Sequence, residues 1–149
     1  MVLVNPQIPP NTGNVARTCA VTASRLHLVE PVGFSLEDSL LRRAGLDYWD
    51  SVSPEIHAGW PEFEAAVVRG QIHKLHLFSG AASQSLFEID IAPGDFLVFG
   101  SEPLGLPPAL LAAYPDRCVG IPMVPGQRSL NLATAVGIAV YQALRAISR

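Results

Sequence analysis

The stretch FLVF, residues 96–99, is apolar at four consecutive positions. A strand with one wet face alternates between apolar and polar, so a strand without alternation must be covered on both faces, as in a parallel sheet. MVLV (1–4), LHLV (26–29), KLHLFS (74–79) and CVGIP (118–122) read as further strands, with a weaker candidate between Val52 and His57. Helical stretches fall between them at about 12–24, 36–44, 60–69 and 107–113, and a long last one at about 130–147. Asn11 or Thr12 is placed to cap the first helix. This alternation predicts an α/β fold: three layers, a mostly parallel sheet, and helices on both faces. No repeat, linker or low-complexity stretch interrupts the pattern, so residues 1–149 are expected to form a single domain.

The last helix, LNLATAVGIAVYQALRAI, has only Gln142 and Arg145 as strongly polar residues after Asn131. A helix without a polar face must be covered all round, and one sheet covers only one side. Hydrophobic residues make up 49% of the chain against 15% charged, a surplus in the same direction. A homodimer through this helix is therefore expected, with Gly137 allowing close approach. No apolar run reaches the roughly 18 residues that a membrane span requires, and no signal peptide precedes the first strand. A cytoplasmic protein is expected, and Cys19 and Cys118 are expected to be free thiols. The four histidines, His27, His57, His73 and His76, are scattered in sequence, so no metal site is expected. Net charge is −3, which neither announces nor excludes a nucleic-acid partner. Lys74 is the one lysine beside nine arginines, a bias that suits bidentate phosphate contacts.

Three segments break the apolar pattern, each just after a strand: NPQIPPNTGNVART from residue 5, FGSEPLGLP from 99 and IPMVPGQRSLNLATA from 121. Loops at the carboxyl ends of parallel strands form the ligand crevice of such sheets. GxGxxG and GxxxxGK[ST] are both absent, which argues against a dinucleotide or P-loop site, and no Ser-His-Asp or Cys-His set is present. The loops offer Asn11, Asn14, Arg17, Ser101, Glu102, Arg128, Ser129 and Asn131. That inventory suits a small molecule held by backbone groups and a phosphate held by arginine better than it suits hydrolysis.

Together these segments resemble the three ordered motifs of the SPOUT class of RNA methyltransferases. Within that class they are most similar to the small tRNA (cytidine/uridine) wobble-ribose 2′-O-methyltransferases, for which RRAGLDYW (42–49) is also typical. The resemblance runs from residue 2 to about residue 147. It implies a C-terminal third threaded into a trefoil knot, S-adenosyl-L-methionine bent among the knot loops with no metal, and a homodimer acting on the tRNA anticodon stem-loop. Gly100 and Ile121 match cofactor-contacting positions, with Met123, Ser129 and Leu130 in the same matched loop. Phe78 matches a strand end lining the adenosine pocket, and Glu102 and Asn131 match polar positions bracing the site. Arg17 matches the arginine regarded as central to catalysis, and Asn11 its accompanying asparagine.

The chemistry fits these residue types. A ribose 2′-hydroxyl must lose its proton before it attacks a methyl sulfonium, and positioning supplies most of the rest. A guanidinium titrates far above neutrality, so Arg17 is expected to clamp a phosphate and orient the ribose; a deprotonated Arg17 acting as base is the second reading. Leu104 stands where the resemblance has arginine, which bears on substrate preference rather than on the reaction. Ribosomal RNA, another tRNA position, and a catalytically silent RNA-binding role are the alternatives. Structural roles compete for individual residues: Ser129 or Asn131 as cap of the last helix, Arg42 and Arg43 as a solvated face, and Asp47, Tyr48 and Trp49 as a loop anchor.

Overall fold

A computed structural model describes residues 1–35, 39, 43 and 48–148. Among the described residues six strands, β1 (Val2–Val4), β2 (His27–Val29), β3 (Glu55–His57), β4 (Leu75–Phe78), β5 (Phe96–Phe99) and β6 (Cys118–Val119), form one sheet in the order β3-β2-β1-β5-β4-β6. Every pairing is parallel. The weak candidate strand over 52–57 is thus β3, at the sheet edge.

Side chains alternate across the sheet and fill two cores. Leu3, Leu28, Leu97 and Phe99 face one, where they meet Val15, Ala16, Val136 and Val140 from α1 (Pro9–Val21) and α5 (Leu132–Ile147). Val2, Val4, Val29, Leu77 and Val98 face the other, against Phe63 and Leu110 from α3 (Trp60–Phe63) and α4 (Pro108–Ala113). Burial on both faces is what FLVF required, and the three layers follow from it. Trp49, in the short helix α2 (Trp49–Val52), packs against the first core rather than standing free. The helix expected at 36–44, and Arg42 and Asp47 with it, lies outside the described residues apart from Ser39 and Arg43, both helical and exposed.

The first helix starts earlier than its capping residues suggested. Ile8 is the N-cap, without a side-chain bond, and Pro9 and Pro10 occupy the first positions. Proline brings no N–H to a place where the N–H would lack a partner, so Asn11 and Thr12 are carried inside the helix and buried. The stretch expected as a helix over 60–69 is α3 followed by a wider turn over Glu64–Val68. Cys19 and Cys118 are free; burial pushes the Cys19 thiol up to about 11, and no thiolate is available there at neutral pH. No helix among the described residues is long and apolar enough to cross a membrane.

Candidate active site

The loops after β1, β4, β5 and β6 converge at the carboxyl edge of the sheet, around a cleft of about 710 Å³. Its walls include Phe78 at the end of β4 with Ser79 and Gly80 after it, Phe99 at the end of β5 with residues 100–106 after it, and Ile121, Met123 and residues 128–132 before and at the start of α5. Phe78 stacks on Phe99 with ring centroids 4.4 Å apart, giving the floor a rigid aromatic pair.

A chain of hydrogen bonds ties the three motifs together. The Glu102 carboxylate accepts from the Gln7 N–H (2.8 Å), the Ile8 N–H (3.1 Å) and Asn11 Nδ2 (3.1 Å). Asn11 Oδ1 in turn accepts from Asn131 Nδ2 at 2.9 Å, and Asn131 Oδ1 accepts from the Ala133 and Thr134 N–H groups. Both amide orientations are therefore fixed, because a carboxylate can only accept at one end and helix N–H groups can only donate at the other. Asn131, not Ser129, caps α5. The Asn131→Ala protein is expected to lose about 2 kcal/mol of stability, roughly 1 for the cap and 1 for the bond to Asn11. Asn131→Ser keeps a capping oxygen and should lose about half as much. Urea denaturation of the three proteins measures both differences.

All eight residues expected at a cofactor site, Phe78, Gly100, Glu102, Ile121, Met123, Ser129, Leu130 and Asn131, line this cleft, as does Asn11. Asn11 is 8% exposed and its amide is spent on Glu102 and Asn131, so it joins the loops instead of presenting a free group. Arg17 does not line the cleft. It lies six residues beyond Asn11, which on an α-helix is about 9 Å further along and roughly 120° round. It is exposed, makes no ion pair among the described residues, and rests its guanidinium carbon 5.3 Å from the centre of the Tyr48 ring. Among the described residues, the cation at the cleft is Arg128. Leu104 projects from the rim, 86% exposed, so it fills no packing role.

Sequence reasoning missed Ser79, Gly80, Leu106 and Leu132 as lining residues. The first two were within reach, because they follow a strand at its carboxyl end. The last two belong to the walls through packing and leave no polar signal.

Residues 1–141 match the model of the SpoU rRNA Methylase family. The chain is 46% identical to a protein of Acidovorax sp. (strain JS42) named tRNA (cytidine(34)-2′-O)-methyltransferase, covering 97% of this chain and 90% of that one. A protein of the same name from Burkholderia pseudomallei (strain 1106a) is 46% identical over 97% of this chain and 93% of its own. A solved structure described as giving structural insights into the 2-OH methylation of C/U34 on tRNA superposes with a TM-score of 0.89 at 45% identity, covering 97% and 93% of the two chains.

Proposed function

The chain belongs to the SpoU rRNA Methylase family, and from that membership we propose that it transfers a methyl group to the ribose 2′-oxygen of nucleotide 34, the wobble position, of tRNA. The observation that carries this reading is the meeting of all three motif loops at one cleft, tied through Glu102, Asn11 and Asn131, in a chain 46% identical to relatives of that name. The methyl donor is S-adenosyl-L-methionine, and the residues present fit it. A cleft of about 710 Å³ lies in the range that holds molecules of this size. Phe78, Ile121 and Leu132 offer apolar surface for a nucleobase, and Arg128 offers a cation for a carboxylate or phosphate. The carboxylate in the lining, Glu102, is occupied by its three donors and does not compete for a positively charged ligand.

Bound, the cofactor supplies an electrophilic methyl on a sulfonium sulfur. The protein's share is to hold the loops, exclude water and bring the ribose into line. Glu102 fixes the start of α1 and Asn131 the start of α5, so the two helices and the 100–106 loop keep one spacing. Arg17, with no acidic partner among the described residues, is available to grip an RNA phosphate and orient the ribose, while the 2′-proton leaves to solvent or to a base.

A homodimer through α5 belongs to the same reading. Tyr141 and Ile147 on this helix are exposed, and a Cβ added at Gly137 would meet nothing within 4 Å. Nothing among the described residues therefore explains the glycine, whereas a second copy packed closely would. Arg17 sits on α1, which packs beside α5 through the first core, so it would lie near that interface. Gly137→Leu is expected to leave the fold intact and convert a dimer to a monomer of about 16 kDa by light scattering; an unchanged mass would remove this interface. We read the chain as one catalytic domain working in the cytoplasm, where tRNA is processed.

The test incubates purified protein, labelled S-adenosyl-L-methionine and unmodified tRNA transcripts beside ribosomal RNA, then maps the ribose methylation. Transfer confined to nucleotide 34 is expected. Transfer to ribosomal RNA instead, or none to any RNA by protein that binds the cofactor, would overturn the substrate assignment.

A further inference from the structure

At the β2–β3 edge, away from the cleft, three ligand-type side chains meet. In the parallel register His27 lies beside Glu55, and His57 follows two residues along the same face. His27 Nδ1 is 3.1 Å from His57 Nε2 and 3.6 Å from Glu55 Oε2, and the donor atoms of all three lie within 4.8 Å of one another. Both imidazoles are buried, His27 at 3% and His57 at 6% exposure, while the Glu55 side chain is 49% exposed. None of the three lines the cleft.

We propose that His27, Glu55 and His57 form a site for one divalent transition-metal ion of the zinc type, with water completing a four-coordinate shell. Tetrahedral zinc, bound by nitrogen and oxygen at about 2.0–2.2 Å, holds its donors roughly 3.3–3.5 Å apart. The two observed spacings from His27 Nδ1 bracket that value, so the two-histidine edge needs almost no movement. Phe63 holds both rings in place, with centroids 5.4 Å from His27 and 5.2 Å from His57. Glu55 is free to swing inward, and its exposure supplies the route by which an ion and its water arrive. Two imidazoles and one carboxylate are donors suited to zinc, not to calcium or magnesium. Arg25 opposes binding, with Nη1 3.9 Å from the other Glu55 oxygen. At 85% exposure it is free to turn away, but its charge limits the site to modest affinity. Such an ion would clip the edge strand β3 to β2, a structural role that leaves the methyl-transfer cleft untouched.

The test uses tag-free protein stripped with chelator and titrated with zinc by calorimetry and with cobalt by visible absorption. One zinc per chain is expected, with micromolar affinity, and cobalt should give the intense visible bands of a tetrahedral site. Glu55→Gln changes an exposed group and should leave the metal-free fold intact by circular dichroism while weakening zinc at least tenfold. His57→Asn should abolish the cobalt bands. Absence of one-to-one binding by the unaltered protein would overturn the site. So would variants that titrate like it, because the ion would then sit on His73 or another surface group, and the two rings would be no more than a hydrogen-bonded pair.

Discussion

Gly100→Ala is expected to abolish measurable binding of S-adenosyl-L-methionine and to cost about 3 kcal/mol of stability. A Cβ at this position would stand 1.9 Å from the Gly105 carbonyl carbon, 2.1 Å from the Leu106 nitrogen and 2.2 Å from the Gly105 oxygen. All three are backbone atoms, so no side chain can turn aside to make room. The 100–106 loop is closed on itself by the Ser101 N–H to the Gly105 carbonyl (3.1 Å) and the Gly105 N–H to the Ser101 carbonyl (2.8 Å). Leu106, directly after it, is anchored in the second core at 3% exposure. The added methyl must therefore either lift Leu106 from the core or open the loop. Opening it pulls Glu102 from Gln7, Ile8 and Asn11, and the cleft loses its shape. Gly105→Ala is the control: its Cβ meets nothing within 4 Å, so the cost is that of a side chain at φ +71°, about 1–2 kcal/mol. Calorimetry with the cofactor and urea denaturation of both variants check this. A Gly100→Ala protein that melts and binds like the unaltered chain would mean that the two backbone segments do not lie in contact.

The sheet was legible because its signal is local. The central strands announce double-sided burial within four residues, and the alternation of Leu3, Leu28 and Phe99 against Val2, Val29 and Val98 needs no knowledge of the partner strand; β3, with Glu55 and Ile56 exposed at the edge, gave the weaker signal for that reason. Their order was not legible. β5 inserts between β1 and β4 through packing decided by the whole chain. The start of α1 was misplaced because Asn11 and Thr12 are good caps, whereas Pro9 and Pro10 set the boundary by their fixed φ and missing N–H. The residues of the cleft were identified by resemblance, not by spacing. Glu102 lies 91 residues from Asn11, and Asn131 lies 120, so no periodicity connects them. The histidines fail in the same way, since scatter in sequence says nothing about a parallel edge that sets His27 against a residue 30 positions later. Arg17 was recognised as a residue type in a motif, yet its position on the outer side of α1 follows from helical geometry that the motif does not state.

Arg17→Ala is expected to reduce methyl transfer to tRNA at least a hundredfold while leaving affinity for S-adenosyl-L-methionine within a few-fold. The second half follows from geometry, because Arg17 does not line the cleft and its contact among the described residues is the Tyr48 ring. Arg17 is exposed over a half-buried ring, and a cation–π contact open to solvent on the cation's side gains only about 0.5–1 kcal/mol, whereas a charge-assisted bidentate contact with phosphate is stronger. The guanidinium can therefore leave Tyr48 for RNA at small cost. The first half follows from what the cleft lacks. Apart from Arg128 it offers no cation among the described residues, and misplacing a ribose by about 1 Å costs on the order of a hundredfold in rate. Arg17→Lys separates the two roles open to this side chain. A phosphate clamp keeps part of its function with a lysine, since the charge survives and only the fork is lost, so a loss of roughly tenfold is expected. A base would behave differently: lysine releases its proton more readily than arginine, so the rate of the Arg17→Lys protein would climb steeply with pH. Single-turnover rates and cofactor calorimetry on the two variants decide the matter. Equal loss of transfer and cofactor affinity in Arg17→Ala would show instead that Arg17 supports the cofactor cleft, and that its grip on phosphate is not its role.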